Sequence, residues 1–349
     1  MLDEDPQQMD PESDSTSLFP EVPSYADIHQ ARLTLDKYLP KTPLVYSNAL
    51  SEELNAEVYL KRDDVLPTGA FKIRGGMVLA NELSNQSHST TLITASTGNH
   101  GQSIAYAGRE LSVPVEIVVP NDANKSKVTA IEQFGATVSH SGESMDEAFV
   151  HAQERAERES FRFVHPANEP GIIAGVATSG LEVVQELPEV DAVFVPVGSG
   201  SYASGYCLTT GSLAGADVIA VQSEGADAAY RTWHSSDLES IEQVTTFAEG
   251  IAVGTSFELT SHILQKLLTD FIRVSDDDLR KAIRTVLTKE HILAEAAGVA
   301  SVAGAIANRK QIEGQTVVLP ICGRNLSTAK LRSIITSESL ICVDFTRYL

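Results

Sequence analysis

Pro67-Thr68-Gly69-Ala70-Phe71-Lys72-Ile73-Arg74-Gly75-Gly76 is the stretch that decides how this chain reads. A lysine stands between two apolar residues, Phe71 and Ile73, and a glycine pair follows. In an apolar pocket an ammonium loses hydration, its pKa falls and the neutral amine becomes available. Such an amine attacks an aldehyde to form a Schiff base, and pyridoxal phosphate is the commonest aldehyde of this kind in enzymes. The nearby glycines are expected to let backbone and ligand come close.

Working outward, Ser96-Thr97-Gly98-Asn99-His100-Gly101 follows the apolar run Leu92-Ile93 and reads as a strand-to-helix turn. Hydroxyls and amides at a helix N-terminus can hold a carboxylate, although a simple helix cap gives the same pattern. His100 could be a general base, but a histidine in a first turn is more often structural. Gly198-Ser199-Gly200-Ser201 follows Val193-Phe194-Val195-Pro196-Val197 and can form a nest of N–H groups around a phosphate. Gly198, Gly200 and Ala203 also satisfy a dinucleotide-binding spacing, with Glu224 beyond the next strand as a ribose-binding acid. That reading, a nicotinamide oxidoreductase, leaves Lys72 and Ser96 to His100 without a task. Cys322-Gly323-Arg324-Asn325 follows a further strand. A buried thiol there is ordinarily a small apolar side chain, and gains interest only opposite a heterocycle nitrogen.

Short apolar runs alternate with helical patterns. The expected strands are Glu57–Leu60, Leu92–Thr94, Val115–Val119, Ala192–Val195, Val218–Val221 and Thr316–Leu319. Their near-continuous apolar character fits a parallel sheet buried on both faces. Met145, Ala148, Phe149 and Ala152 share one helical face. Ser275 with Asp278 resembles a capping box before a face of Leu279, Ala282, Ile283 and Val286. The alternation predicts an α/β fold with parallel-rich sheets covered by helices, in two interleaved domains.

The 349 residues carry 47 acids against 26 bases, a net charge of -21. That excess argues against nucleic-acid backbone and anionic membrane surfaces as partners. It is typical of cytosols with very high salt, although an ordinary acidic cytosolic enzyme has a similar balance. Cys207, Cys322 and Cys342 show no metal-ligand spacing and fit a reducing, cytoplasmic compartment. The N-terminus lacks the basic start and apolar core of a signal peptide, and residues 1–17 are expected to be a disordered acidic tail. No apolar run is long enough to span a bilayer.

From about Tyr25 to Ser333 the chain resembles the serine/threonine dehydratase and serine racemase family, pyridoxal phosphate enzymes of the tryptophan-synthase β fold, fold type II. The resemblance rests on Pro67 to Gly76, Ser96 to Gln102, Gly198 to Gly205 and Cys322 to Asn325, taken in order. The segments His165-Pro166 with Glu169-Pro170, Ile173-Ala174-Gly175 and Ala294-Glu295-Ala296-Ala297-Gly298 agree with it.

The resemblance implies that Lys72 is the Schiff-base lysine. Phe71 and Asn99 would pack on the cofactor ring and bond its phenolic oxygen, and Gly198, Ser199, Gly200, Ser201 and Tyr202 would form the phosphate loop. Ser96, Thr97, Gly98, Asn99 and His100 would clasp the substrate carboxylate, Cys322 would face the pyridine nitrogen, and Glu295 would lie near the cofactor. It also implies a large domain of residues 18–87 plus 165–349 and a small substrate-loop domain of residues 88–164. The expected activity is elimination of water from a β-hydroxy amino acid, L-threonine or L-serine, with no regulatory module appended. A racemase using Thr97 as a second acid/base is the alternative on this scaffold, and a homo-oligomer, dimer or tetramer, is expected. Gln222 and Ala228 stand where several family members put a glutamate and an aspartate on a metal, which puts a divalent site in doubt.

Overall fold

The computed structural model describes residues 21–84 and 90–336; the expected tail 1–17 and Cys342 lie outside them. Among the described residues ten strands form two sheets: β1 Leu44–Tyr46, β2 Glu57–Arg62, β3 Leu92–Ala95, β4 Val115–Val119, β5 Thr137–His140, β6 Arg162–Phe163, β7 Ala192–Pro196, β8 Asp217–Ser223, β9 Asp270–Val274 and β10 Thr316–Ile321. The larger sheet runs β1-β2-β10-β7-β8-β9 and the smaller β5-β4-β3-β6. Every pairing is parallel except β1 with β2.

All six expected strands are present, and each lies inside its sheet with a neighbour on both sides. Every residue of β3, β4 and β7 is buried, as strands covered by helices on both faces must be. The helix Met145–Glu159 buries Ala148 and Ala152 against the smaller sheet but leaves Met145 exposed. The helix Asp276–Lys289 opens with both bonds of the expected capping box. Asp278 N donates to Ser275 Oγ and Ser275 N to Asp278 Oδ2, each at 3.2 Å. It buries Leu279, Ala282, Ile283 and Val286.

All four strands of the smaller sheet fall between Leu92 and Phe163. Its core is not confined to that span. Ile28 and Leu35 of the helix Tyr25–Leu35 and Met77 of the helix Ile73–Ser84 pack into the same cluster as Ile104 and Ile117. The helix carrying Arg74 therefore bridges the two layers. Its glycines serve that packing. A Cβ on Gly75 would lie 2.8 Å from the Ile172 carbonyl oxygen, and one on Gly76 would lie 2.3 Å from Ser103 Oγ. The expectation that this pair makes room for a ligand is corrected: it lets three helices approach.

Candidate active site

Parallel strands end on one edge, and ligands bind in the crevice outside those ends. The adjacent strands β2, β10 and β7 lead respectively into the Lys72 segment, Cys322 and the Gly198 loop. The first two segments are stitched together. Phe71 N donates to the Cys322 carbonyl at 3.0 Å and Arg324 N to the Gly69 carbonyl at 2.9 Å. This short antiparallel bridge sets Lys72 in register with Cys322.

Lys72 immediately precedes the helix Ile73–Ser84, and its carbonyl accepts from Ser103 Oγ at 2.7 Å. Its ammonium nitrogen lies 5.1 Å from the centre of the Phe71 ring. Burial pushes the lysine down to about 8, with a smaller opposing pull from Cys322. Burial also drives the Cys322 thiol well above its ordinary range, so it stays protonated and neutral near neutrality. Cys322 Sγ lies 3.5 Å from the Ala297 carbonyl, which it meets as a weak donor.

Beneath this pair lies a buried charge network. Arg74 Nη2 donates to Asp63 Oδ1 and Glu182 Oε2 at 2.9 Å each, and Lys61 Nζ to Glu182 Oε2 at 2.7 Å. Arg32 also bonds Glu182. Burial alone would raise both carboxyls, but Arg74 and Lys61 outweigh it and hold Asp63 and Glu182 below the usual range. Tyr202 joins the network by donating its phenol to Asp63 Oδ2 at 2.7 Å. Its ring packs against Phe71, tilted by 30° with centroids 3.9 Å apart. The Tyr202 side chain is therefore turned into the protein, and only its backbone belongs to the glycine loop.

That loop joins β7 to the helix Ser201–Tyr206. Gly200 has φ +90°, and a Cβ on it would lie 2.7 Å from Thr260 Cβ; one on Gly198 would lie 2.8 Å from the Gly250 carbonyl. Thr260 Oγ1 donates to the Ser199 carbonyl at 2.9 Å, pinning the turn. Among the described residues no side chain caps the N–H groups that open the helix. A backbone-only, uncapped turn of this shape fits a phosphate.

The Ser96 segment links β3 to the helix Asn99–Leu111, whose first residue is preceded by Gly98 with no side-chain cap. Ser96 Oγ accepts from Gly98 N at 3.2 Å. Asn99 Nδ2 donates to Glu295 Oε1 at 2.7 Å. Glu295 is buried, and burial raises its carboxyl against the bond from Asn99. The His100 imidazole is buried and meets Thr94 Oγ1 at 3.2 Å, and burial pushes it down to about 3. It is neutral at physiological pH, with the Lys72 ammonium adding to the downward push of burial.

At the end of β8, Gln222 Oε1 accepts from Tyr230 N at 2.9 Å and Ala228 is buried. Asp227 between them pairs with Arg231 at 2.8 Å and Arg273 at 2.7 Å. Among the described residues no group of three His, Cys, Asp or Glu side chains could hold a metal, and no helix is long and apolar enough to cross a membrane.

Sequence reasoning missed the buried network, because Arg74 and Glu182 are 108 positions apart. It also gave Asn325 no role, although Asn325 Nδ2 bonds both the Thr68 carbonyl, at 2.9 Å, and Asn99 Oδ1, at 2.7 Å. Its place at the end of the Cys322-Gly323-Arg324-Asn325 segment was the only signal.

A family model described as "Pyridoxal-phosphate dependent enzyme" matches residues 35–323. The chain is 36% identical over 310 residues to an L-threonine ammonia-lyase of Thermotoga maritima, covering 88% of this chain and 77% of that protein. It is 30% identical over 318 residues to an L-threo-3-hydroxyaspartate ammonia-lyase of Saccharomyces cerevisiae, covering 91% and 98%. The crystal structure of a serine racemase from Dictyostelium discoideum superposes with a TM-score of 0.82 at 30% identity, covering 87% of this chain and 99% of that one.

Proposed function

We propose, from the premise that the chain belongs to the family of pyridoxal-phosphate dependent enzymes, that it is an ammonia-lyase of the dehydratase type. It eliminates water from a β-hydroxy amino acid, L-threonine or L-serine, and the released enamine takes up water to give a 2-oxo acid and ammonia. The observation that carries this reading is a desolvated lysine, lowered to about 8, locked in register with a neutral thiol beside an uncapped glycine turn. The dinucleotide alternative uses the turn but not the lysine, and the family match removes its remaining support.

When bound, pyridoxal phosphate supplies an aldehyde for amines and a ring that withdraws electrons. The chain's residues divide the rest. The backbone of Gly198 to Tyr202 would hold the phosphate. Phe71, fixed by Tyr202, would pack on the ring, and Asn99 would bond its phenolic oxygen. Burial lowers Lys72 to about 8, which makes its neutral amine more accessible, so Lys72 would take the proton from the substrate Cα as general base. Cys322, as a neutral thiol, cannot hold a pyridine nitrogen protonated as a carboxylate would. The thiol would thereby leave a bound ring less electron-withdrawing than a carboxylate partner would, a setting that would suit loss of the β-hydroxyl. The backbone N–H groups opening the helix at Asn99, with Ser96 and Thr97, suit the substrate carboxylate.

We also propose that residues 18–87 plus 165–349 form the large domain and residues 88–164 the small one, a division supported by the span of the smaller sheet. The protein would work in the cytoplasm as a homo-oligomer, dimer or tetramer, and its acidic surface would suit high salt. The test of function is a panel of β-hydroxy amino acids scored for 2-oxo acid and ammonia. Release of both from L-threonine or L-serine is expected; no release from any member would refute the reading.

The racemase remains the second reading because a serine racemase shares the fold. It needs an acid/base opposite Lys72, and Thr97 would have to supply that hydroxyl, with an added methyl and a stiff χ1. Incubation in deuterated water with chiral separation of products decides: 2-oxo acid in large excess is expected. D-amino acid in comparable amount would promote the racemase.

A further inference from the structure

Asn325 joins segments from three distant parts of the chain, and its hydrogen bonds have one self-consistent direction. Its side-chain amide faces the Thr68 carbonyl at 2.9 Å and the Asn99 amide at 2.7 Å with the same atom. A backbone carbonyl only accepts, so that atom is the Asn325 nitrogen. Its second N–H is then given to Asn99, and the Asn99 atom it meets is the oxygen. The other end of the Asn99 carboxamide is therefore its nitrogen, 2.7 Å from Glu295 Oε1. Donors run one way, from Asn325 to Asn99 to Glu295, anchored by the backbone at Thr68. Asn99 Nδ2 has two hydrogens, and only one is used among the described residues.

The backbone is shaped around this bracket. Gly69, next to Thr68, has φ +70°, and a Cβ there would lie 2.8 Å from Asn325 Oδ1. A side chain at position 69 would displace the carboxamide that orients Asn99. Turned over, Asn99 would present an oxygen to the Glu295 carboxyl and lose the donor from Asn325.

We propose that Asn325 is a positioning residue that locks the Asn99 carboxamide with its free N–H toward the phenolic oxygen of pyridoxal phosphate. The inference rests on the reading in which Asn99 faces that oxygen. A donor at a phenolate favours the charged form and weakens its hold on a neighbouring proton. Asn325 thus acts, through Asn99, on the pH at which the visible band of the bound cofactor changes.

The test is a double-mutant cycle on the holoenzyme, reading the pH midpoint of the visible band and the dissociation constant for pyridoxal phosphate. Asn325→Ala, and the near-isosteric Asn325→Asp should Ala fail to fold, are made in the wild type and in Asn99→Ala. In the wild type each is expected to raise the midpoint by about half a pH unit and to weaken cofactor binding about fivefold. In Asn99→Ala the same changes should have less than about a twofold effect, because the residue they act through is gone. Equal effects in both backgrounds, or none in either, would overturn the proposal. A wild-type protein with no visible band at all would overturn the cofactor reading, and the inference with it.

Discussion

The backbone N–H of Phe71 donates to the carbonyl oxygen of Cys322 at 3.0 Å. This one bond couples the segment carrying Lys72 to the end of β10, so the amine and the thiol keep a fixed relation although 250 residues separate them in sequence. Because backbone makes the link, side-chain substitutions at position 322 test chemistry without breaking the frame.

Cys322→Ser should therefore keep activity within about tenfold of the wild type, since both side chains give a pyridine nitrogen a neutral partner. Cys322→Asp should place a carboxylate there, protonate the nitrogen and raise the share of racemisation or transamination among the products. Steady-state rates with product chromatography check both. A folded but inactive Cys322→Ser would refute the pairing of Cys322 with the ring.

The lowered pKa of Lys72 gives a pH dependence for cofactor loading. In the apoprotein the amine is protonated and unreactive below about 8 and neutral above it. The second-order rate of loading with pyridoxal phosphate should rise through a midpoint near 8 and level off above. The same shift acts on stability: burying the charged form is a penalty below pH 8, and it fades as pH rises toward the ordinary lysine value of 10.5. A loading midpoint near that ordinary value would show that the lysine is not desolvated.

What the sequence revealed of the fold follows a physical line. All six strands read from apolar runs are interior, whereas β1 and β9 edge the larger sheet and β5 and β6 the smaller. Edge strands face water and need no continuous apolar run: β5 is Thr137-Val138-Ser139-His140 with both ends exposed, and β6 has two residues. Of the candidate site, the Lys72 segment and the Gly198 loop could be singled out because a short motif suggests its own chemistry, whereas Asn99 was singled out only through the family resemblance. The site was illegible where function depends on tertiary contact. The Arg74–Glu182 pairing, the role of Gly75 in helix packing and the reach of Asn325 to Asn99 leave no local pattern.

Chelators should leave activity within about twofold. Gln222 spends its oxygen on Tyr230 N, Ala228 offers no side-chain ligand, and two arginines neutralise Asp227. Activity assays in excess chelator, with and without magnesium, check this. Loss in chelator with recovery in magnesium would implicate Glu224 or Asp227 as ligands.

The net charge of -21 predicts stability that rises with salt, as screening relieves self-repulsion. Thermal midpoints should climb from low to molar potassium chloride. A flat or falling series would remove the high-salt reading and leave the catalytic one standing.

The central claim is that Lys72 carries the cofactor, and borohydride reduction of the holoenzyme followed by peptide mass spectrometry tests it most directly. The account predicts a phosphopyridoxyl group on Lys72, absent from Lys72→Ala, together with a loss of turnover in that variant of at least about a thousandfold. A reduced adduct on any other lysine, or a Lys72→Ala variant that still turns over at the wild-type rate, would contradict it.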